Sequence, residues 1–213
     1  MKRANEIAYD FIKSRILDGT YRPAQRLLEA QLADEISVSR NTVKKALLKL
    51  EQEQLVTMKD NKGAAIRSLD IDEVVQYLQI REELEVIIIR AAVENIDEES
   101  IKKLEDIFHT MEELSKRQEF DTYSKNNTSF HSIIYHASRK PIITSYCLGI
   151  KTQLSRFQIK TMLVPERSRQ SLVEHRAILE AMKSRNADDA EQAIRAHMGN
   201  LLQTIIKYNK LFF

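Results

Sequence analysis

Apolar residues recur at helical spacing along almost the whole chain. From Ala4 to Leu17 the residues Ile7, Phe11 and Ile16, flanked by Ala8 and Ile12, predict a first helix with that stripe facing inward. Asp18-Gly19-Thr20 closes it, and Gly19 suits a left-handed cap. A second helix is predicted over Glu29–Glu35, burying Leu32 and Ile36. Ser37-Val38-Ser39 forms a turn with Val38 directed back to the core. A third helix runs from Arg40 to about Glu53. On it Val43, Ala46, Leu47 and Leu50 fall at i, i+3, i+4 and i+7, and Ser39 is placed to cap it. The period then changes to two. Leu55-Val56-Thr57 and Ala65-Ile66-Arg67 read as strands joined by a turn at Asp60-Asn61-Lys62-Gly63. A helix-turn-helix followed by a small hairpin predicts a winged helix.

Beyond Ser68–Asp72 the helical period resumes and does not lapse. Six helices are predicted, at about 72–95, 98–117, 120–138, 141–162, 166–185 and 187–210. Their starts are marked by Asp97 and Ser100, by Pro141, by Pro165-Glu166 and by Asn186-Ala187-Asp188. The fold class is therefore mainly α. A winged helix-turn-helix occupies residues 1–69, and an antiparallel helical bundle occupies residues 70–213.

Composition supports this and narrows the function. Only 4 Gly and 3 Pro interrupt 213 residues, which favours helices over turns. The single cysteine, Cys147, excludes a disulfide framework and a multi-cysteine zinc site; its apolar neighbours predict a buried thiol. The longest apolar run, Val86–Val93, is broken by Arg90, and no segment has the length of a membrane span. A cytoplasmic protein is expected. The net charge is only +2, but residues 1–69 carry 13 Lys and Arg against 9 Asp and Glu. The basic excess lies in the winged helix.

Its placement suits DNA. Arg40 starts the third helix on the face away from Val43, Leu47 and Leu50, where a guanidinium can fork onto guanine O6 and N7. Lys44 follows one turn later on the same face. Asn41 suits adenine or a phosphate, Ser39 and Thr42 can donate to phosphates, and Lys45 and Lys49 add charge. Lys62 and Gly63 sit at the tip of the wing. Double-stranded DNA is the predicted partner.

The second domain carries five histidines. Asn127 and His131, at i and i+4, project from one face of one helix. His175 and His197 lie on two other helices. Three imidazoles and an amide oxygen from three helices can hold a divalent metal inside a bundle. The same residues also fit ordinary core and surface positions. His109 and His136 receive no role.

The first domain resembles the winged helix of GntR-family bacterial regulators. The likeness rests on Gly19–Leu27 (GTYRPAQRL), Leu32–Arg40 (LADEISVSR), Val43–Glu51 and Leu55-Val56. It implies that Ser39, Arg40, Asn41, Lys44 and Gly63 touch DNA. The family's basic residue at Lys44 is most often arginine, followed by an acid that Lys45 replaces here. Lysine is a point charge without arginine's fork, so Arg40 is the better base reader.

Residues 72–210 resemble the FadR-type effector domain, FCD, through Ile80–Glu85, Ser129–His131, Glu174–Leu179 and the run ending at Met198. Metal-binding members place an aspartate where this chain has Asn127. The resemblance implies a metal held by Asn127, His131, His175 and His197. The lost negative charge favours Zn or Ni over Mg or Mn. It also implies a small carboxylate effector above the metal, with Arg81 as its partner. Arg81 is equally placed to pair with Glu85, four residues on. Tyr135, Gln153 and Arg156 are further pocket candidates.

The reading is a homodimeric, non-enzymatic transcription regulator, most simply a repressor, on a near-palindromic operator. Two rivals are a metal-dependent hydrolase and an architectural DNA binder without an effector. The hydrolase lacks an HExxH motif and has only Glu174, beside His175, as a base.

Overall fold

The computed structural model describes residues 3–59 and 63–212. The chain divides into two compact units, Met1–Asp70 and Ile71–Phe213.

In the first unit, α1 (Ala4–Leu17), α2 (Glu29–Ile36) and α3 (Arg40–Gln52) precede the strands β2 (Val56–Lys59) and β3 (Gly63–Ile66). A further two-residue strand, β1 (Arg26–Leu27), pairs with β3, so the sheet order is β1-β3-β2, all antiparallel. The sequence pattern missed β1, because two residues carry no period. The inward stripe of α1 also differs from expectation. Ala8, Ile12 and Ile16 are buried at i, i+4 and i+8, while Ile7 is 45% exposed. Phe11 is only partly buried, under the Arg15 guanidinium.

Backbone geometry explains the turn between α2 and α3. Ser37 takes a left-handed conformation (φ 59°), and Val38 N–H closes onto Ala33 O at 3.0 Å. Val38 packs partly buried against the core, as does Ile36. Ser39 Oγ accepts from Thr42 N–H at 3.1 Å, the N-cap that starts α3. Such a cap contributes about 1 kcal/mol. Val43, Ala46, Leu47 and Leu50 are all buried, which fixes the opposite face of α3 outward.

The second unit is helical: α4 (Ile71–Asn95), α5 (Glu98–Lys116), α6 (Phe120–Ala137), α7 (Pro141–Met162), α8 (Arg167–Lys183), α9 (Ala187–Lys207) and a short α10 (Asn209–Phe212). The last was not anticipated. Caps set the boundaries. Asp97 accepts from Ser100 N–H, Pro141 opens α7, and Asn186 accepts from Asp188 and Asp189 N–H. α4 packs against α6, α7 and α9, and α8 packs against α5 and α9. Leu104, Phe108, Met111, Tyr123, Phe130 and Ile134 fill the centre. No helix among the described residues is long and apolar enough to cross a membrane.

Candidate functional site

In the first unit the outward face of α3 carries Arg40, Asn41, Lys44 and Lys45, all exposed. Ser39 and Thr42 are engaged with each other, their hydroxyls 2.8 Å apart, at the end of the helix nearest those residues. Lys49 turns away, with its Nζ 3.6 Å from the centre of the Tyr9 ring. Gly63 has a structural reason to be glycine. Its φ is +75°, and a Cβ there would lie 2.4 Å from Leu27 O, so β1 and β3 need its bare backbone. Lys62, expected at the wing tip, lies outside the described residues.

In the second unit, His131 (α6), His175 (α8) and His197 (α9) converge, with one ring nitrogen of each within 4.8 Å of the others. All three are buried. Their second nitrogens settle which atom is left bare. His175 Nδ1 lies 2.6 Å from Ser171 O, a carbonyl that can only accept, so Nδ1 carries the proton and Nε2 is free. His197 Nδ1 lies 2.7 Å from Glu174 Oε2, which leaves its Nε2 free as well. His131 Nε2 faces His175 Nε2 at 3.2 Å, and its own Nδ1 is buried without a partner. Burial pushes the pKa values of His131 and His175 well below the ordinary 6.5, and repulsion from neighbouring cationic groups adds to it. Burial also lowers His197, against the pull of Glu174. The cluster is neutral, and His175 and His197 turn bare Nε2 lone pairs inward.

His131 and His197 border a cavity of about 60 Å³, and His175 stands behind them, its Nε2 3.2 Å from that of His131. Asn127 and His131, one turn apart on α6, both line it, and Asn127 Oδ1 is buried without a hydrogen bond. This donor set fits a metal. Tetrahedral ligands about 2.05 Å from one ion lie roughly 3.4 Å apart, close to the spacing of the His131 and His175 nitrogens. Asn127 Oδ1, a buried acceptor with no partner, is costly without such a ligand or a water.

Arg81, Lys151 and Arg167 line the same cavity. Arg81 donates from Nε and Nη2 to Glu85 Oε1 at 3.1 and 2.9 Å, the pairing that its sequence spacing allowed, and still presents itself to the cavity. Burial raises the Glu85 carboxyl, but Arg81, Lys151 and the Tyr135 hydroxyl outweigh this and hold it below the usual range. Tyr135 donates to Glu85, and neither it nor Gln153 is among the described residues lining the cavity. The Arg156 side chain lies outside the described part. Cys147 is buried against the Tyr135 hydroxyl, and burial pushes its thiol up to about 11, so it is inert.

Residues 4–66 match the family described as bacterial regulatory proteins, gntR family, and residues 76–200 match the FCD domain. The chain belongs to the GntR family. Within it, the HTH-type transcriptional regulator YdhC of Bacillus subtilis is 28% identical over 90% of this chain and 86% of its own length. The HTH-type transcriptional repressor RspR of Escherichia coli is 20% identical, covering 94% of this chain and 88% of itself. The structure of Escherichia coli McbR/YncC superposes with a TM-score of 0.82 at 19% identity, over 98% of this chain and all of that one, and shows a shared fold. GntR-family members are transcriptional regulators, so this chain is not an enzyme. The Glu174 carboxylate agrees. It is tied to His197, to Arg167 Nη2 at 3.0 Å and to Asn200 Nδ2 at 2.9 Å, and serves as a brace for the imidazole.

Sequence reasoning missed Arg167, Lys151 and this bracing role of Glu174. Their convergence depends on how α7, α8 and α9 pack, and no spacing along the chain encodes it. Glu174 did stand beside His175 in the run Glu174–Leu179.

Proposed function

We propose that this protein is a homodimeric DNA-binding transcription regulator whose helical unit senses a small acid beside a bound divalent metal. The observation that carries the sensing half is the cavity itself. Among the described residues it joins two histidines of the neutral buried cluster, His131 and His197, an unsatisfied Asn127 oxygen and three cationic side chains, with His175 completing the cluster behind them. An architectural DNA binder has no use for such a group.

Asn127 Oδ1 and the Nε2 atoms of His131, His175 and His197 would hold the ion, and imidazole and amide donors favour Zn or Ni over Mg or Mn. When bound, the ion supplies a position at which an acid oxygen can attach. Ser171 O and Glu174 fix two of the imidazoles, and this outer shell orients ligands and raises their basicity. Arg81, held by Glu85, offers the acid a rigid cationic neighbour.

On the DNA side, Arg40 reads base edges, with Lys44 and Asn41 beside it, while Ser39, Thr42, Lys62 and Gly63 serve the backbone. Dimerisation is supported by apolar side chains left in solvent on two packed helices. Ile142 (73% exposed) and Tyr146 (70%) lie on α7, and Ile80 and Ile87 lie on α4. A two-fold dimer requires a near-palindromic site. The acid alters DNA affinity only if it binds one dimer arrangement better than the other.

Selection of binding sites from random duplex DNA tests the reading. Enrichment of a near-palindrome, with affinity changed by metal and acid, supports it. Enrichment of no sequence removes the regulator reading. An enriched site indifferent to both ligands removes the sensor.

A further inference from the structure

Among the described residues, the cavity is lined by more positive charge than negative. Of its three cations, Arg81 is answered by Glu85 and Arg167 by Glu174. Lys151 has no carboxylate of its own. Its Nζ lies 5.0 Å from the centre of the Tyr135 ring, and no hydrogen-bond acceptor meets it among the described residues. Glu85 Oε1 is already taken by Arg81 and the Tyr135 hydroxyl. Burial, with Arg81 close by, lowers the Lys151 ammonium to about 8, so the fold holds this cation at a cost.

Arg167 is the second unspent donor. It opens α8 after the left-handed Glu166, and its side chain runs seven residues along the helix to Glu174. Nη2 makes that bond, while Nη1 is buried with no partner. A buried charged donor left unmade, like Arg167 Nη1, is expensive, and the partly buried Lys151 brings to the same cavity a second cation with no carboxylate of its own. The groups around them add no negative charge, because the histidines are neutral and Asn127 is an amide. A divalent ion there would add two more positive charges.

We infer that Lys151 and Arg167 Nη1 form a second acid-binding subsite, so that the effector carries two acidic groups and not one. One group meets the Asn127–histidine end, and the other is held by these two cations. Leu154 and Phe157, which follow Lys151 on α7, line the same cavity and offer apolar surface to the connecting carbons. The inference rests on the effector reading above and specifies it. Carboxylate and phosphate are equivalent to such donors, since both are compact anions with several acceptor oxygens.

The test is calorimetric titration of the full-length zinc-loaded protein with acetate, succinate and 2-phosphoglycolate. Succinate or 2-phosphoglycolate is expected to bind about ten-fold or more tighter than acetate, the worth of one charge-assisted contact. Which of the two binds better identifies the second group. Lys151→Met should reduce that preference to roughly two-fold, with an unchanged or higher melting temperature without ligand, because an apolar stem replaces a buried charge. Arg167→Gln, which removes the Nη1 donor, should reduce it too. Equal binding of mono- and diacids, or a preference that survives Lys151→Met, overturns the second subsite and leaves the effector reading standing. No binding of any acid overturns both.

Discussion

Glu174 Oε2 lies 2.7 Å from His197 Nδ1 and 3.0 Å from Arg167 Nη2, so one carboxylate sets a tautomer and neutralises a buried cation together. Burial raises its pKa, but the bonds from His197 and Arg167 outweigh that and keep it ionised below the usual range. Glu174→Gln keeps the shape and removes the charge. It should weaken zinc affinity about ten- to a hundred-fold, the usual cost of losing an outer-shell partner. Competition against a fluorescent chelator reads this directly. Unchanged affinity would show that His197 does not need this brace.

Acid should destabilise the second unit. His131 and His175 stay neutral in the fold because burial and neighbouring cations hold their pKa values well below 6.5. Once unfolded, both take up protons as pH falls through 6.5. The unfolded state then binds more protons, so stability is greatest above that value and declines below it. Each histidine contributes a slope of about 1.4 kcal/mol per pH unit. Urea unfolding of the metal-free protein across this range measures it, and His175→Gln should remove one histidine's share. A flat profile would mean that the imidazoles are protonated in the native state.

Gly63→Ala should loosen the wing. The substitution forces a left-handed φ on alanine and drives its Cβ into Leu27 O. A cost of about 2 kcal/mol is expected. In hydrogen exchange it should appear as roughly 30-fold faster opening of the β1–β3 amides, with the helices after Ile71 unchanged. If exchange is unaffected while DNA binding fails, the glycine is needed for DNA contact and not for the sheet.

Arg40→Ala should cost about 1–3 kcal/mol of discrimination between a selected operator and scrambled DNA, while salt-sensitive binding remains. Lys44→Ala should instead weaken both DNAs if Lys44 serves a phosphate, and lower the salt slope by about one. Fluorescence anisotropy titrations at several salt concentrations separate the two patterns. Retained discrimination in Arg40→Ala would remove it as the base reader.

Much of this was legible in the residues. The helix starts were written in Ser39, Asp97, Pro141 and Asn186, whose side chains act locally and therefore show locally. The outward face of α3 followed from the i, i+3, i+4, i+7 burial of Val43, Ala46, Leu47 and Leu50. Asn127 and His131 share a face because helix geometry demands it, and both line the cavity. The face of α1 misled, since Ile7 and Ile12 are both apolar and only packing chooses between them. β1 was too short to carry a period. Lys151 and Arg167 fall in no motif or spacing that marks them. Only the packing of α7, α8 and α9 brings them to one cavity, and only their missing partners mark them as unspent.

The most direct measurement is the metal content of the untagged protein, purified without added metal and analysed by elemental mass spectrometry. About one zinc or nickel per chain, lost in His131→Ala, is the predicted result. Protein that holds no such ion, even after incubation with zinc and nickel, would contradict the metal centre and leave the histidines as a neutral buried cluster.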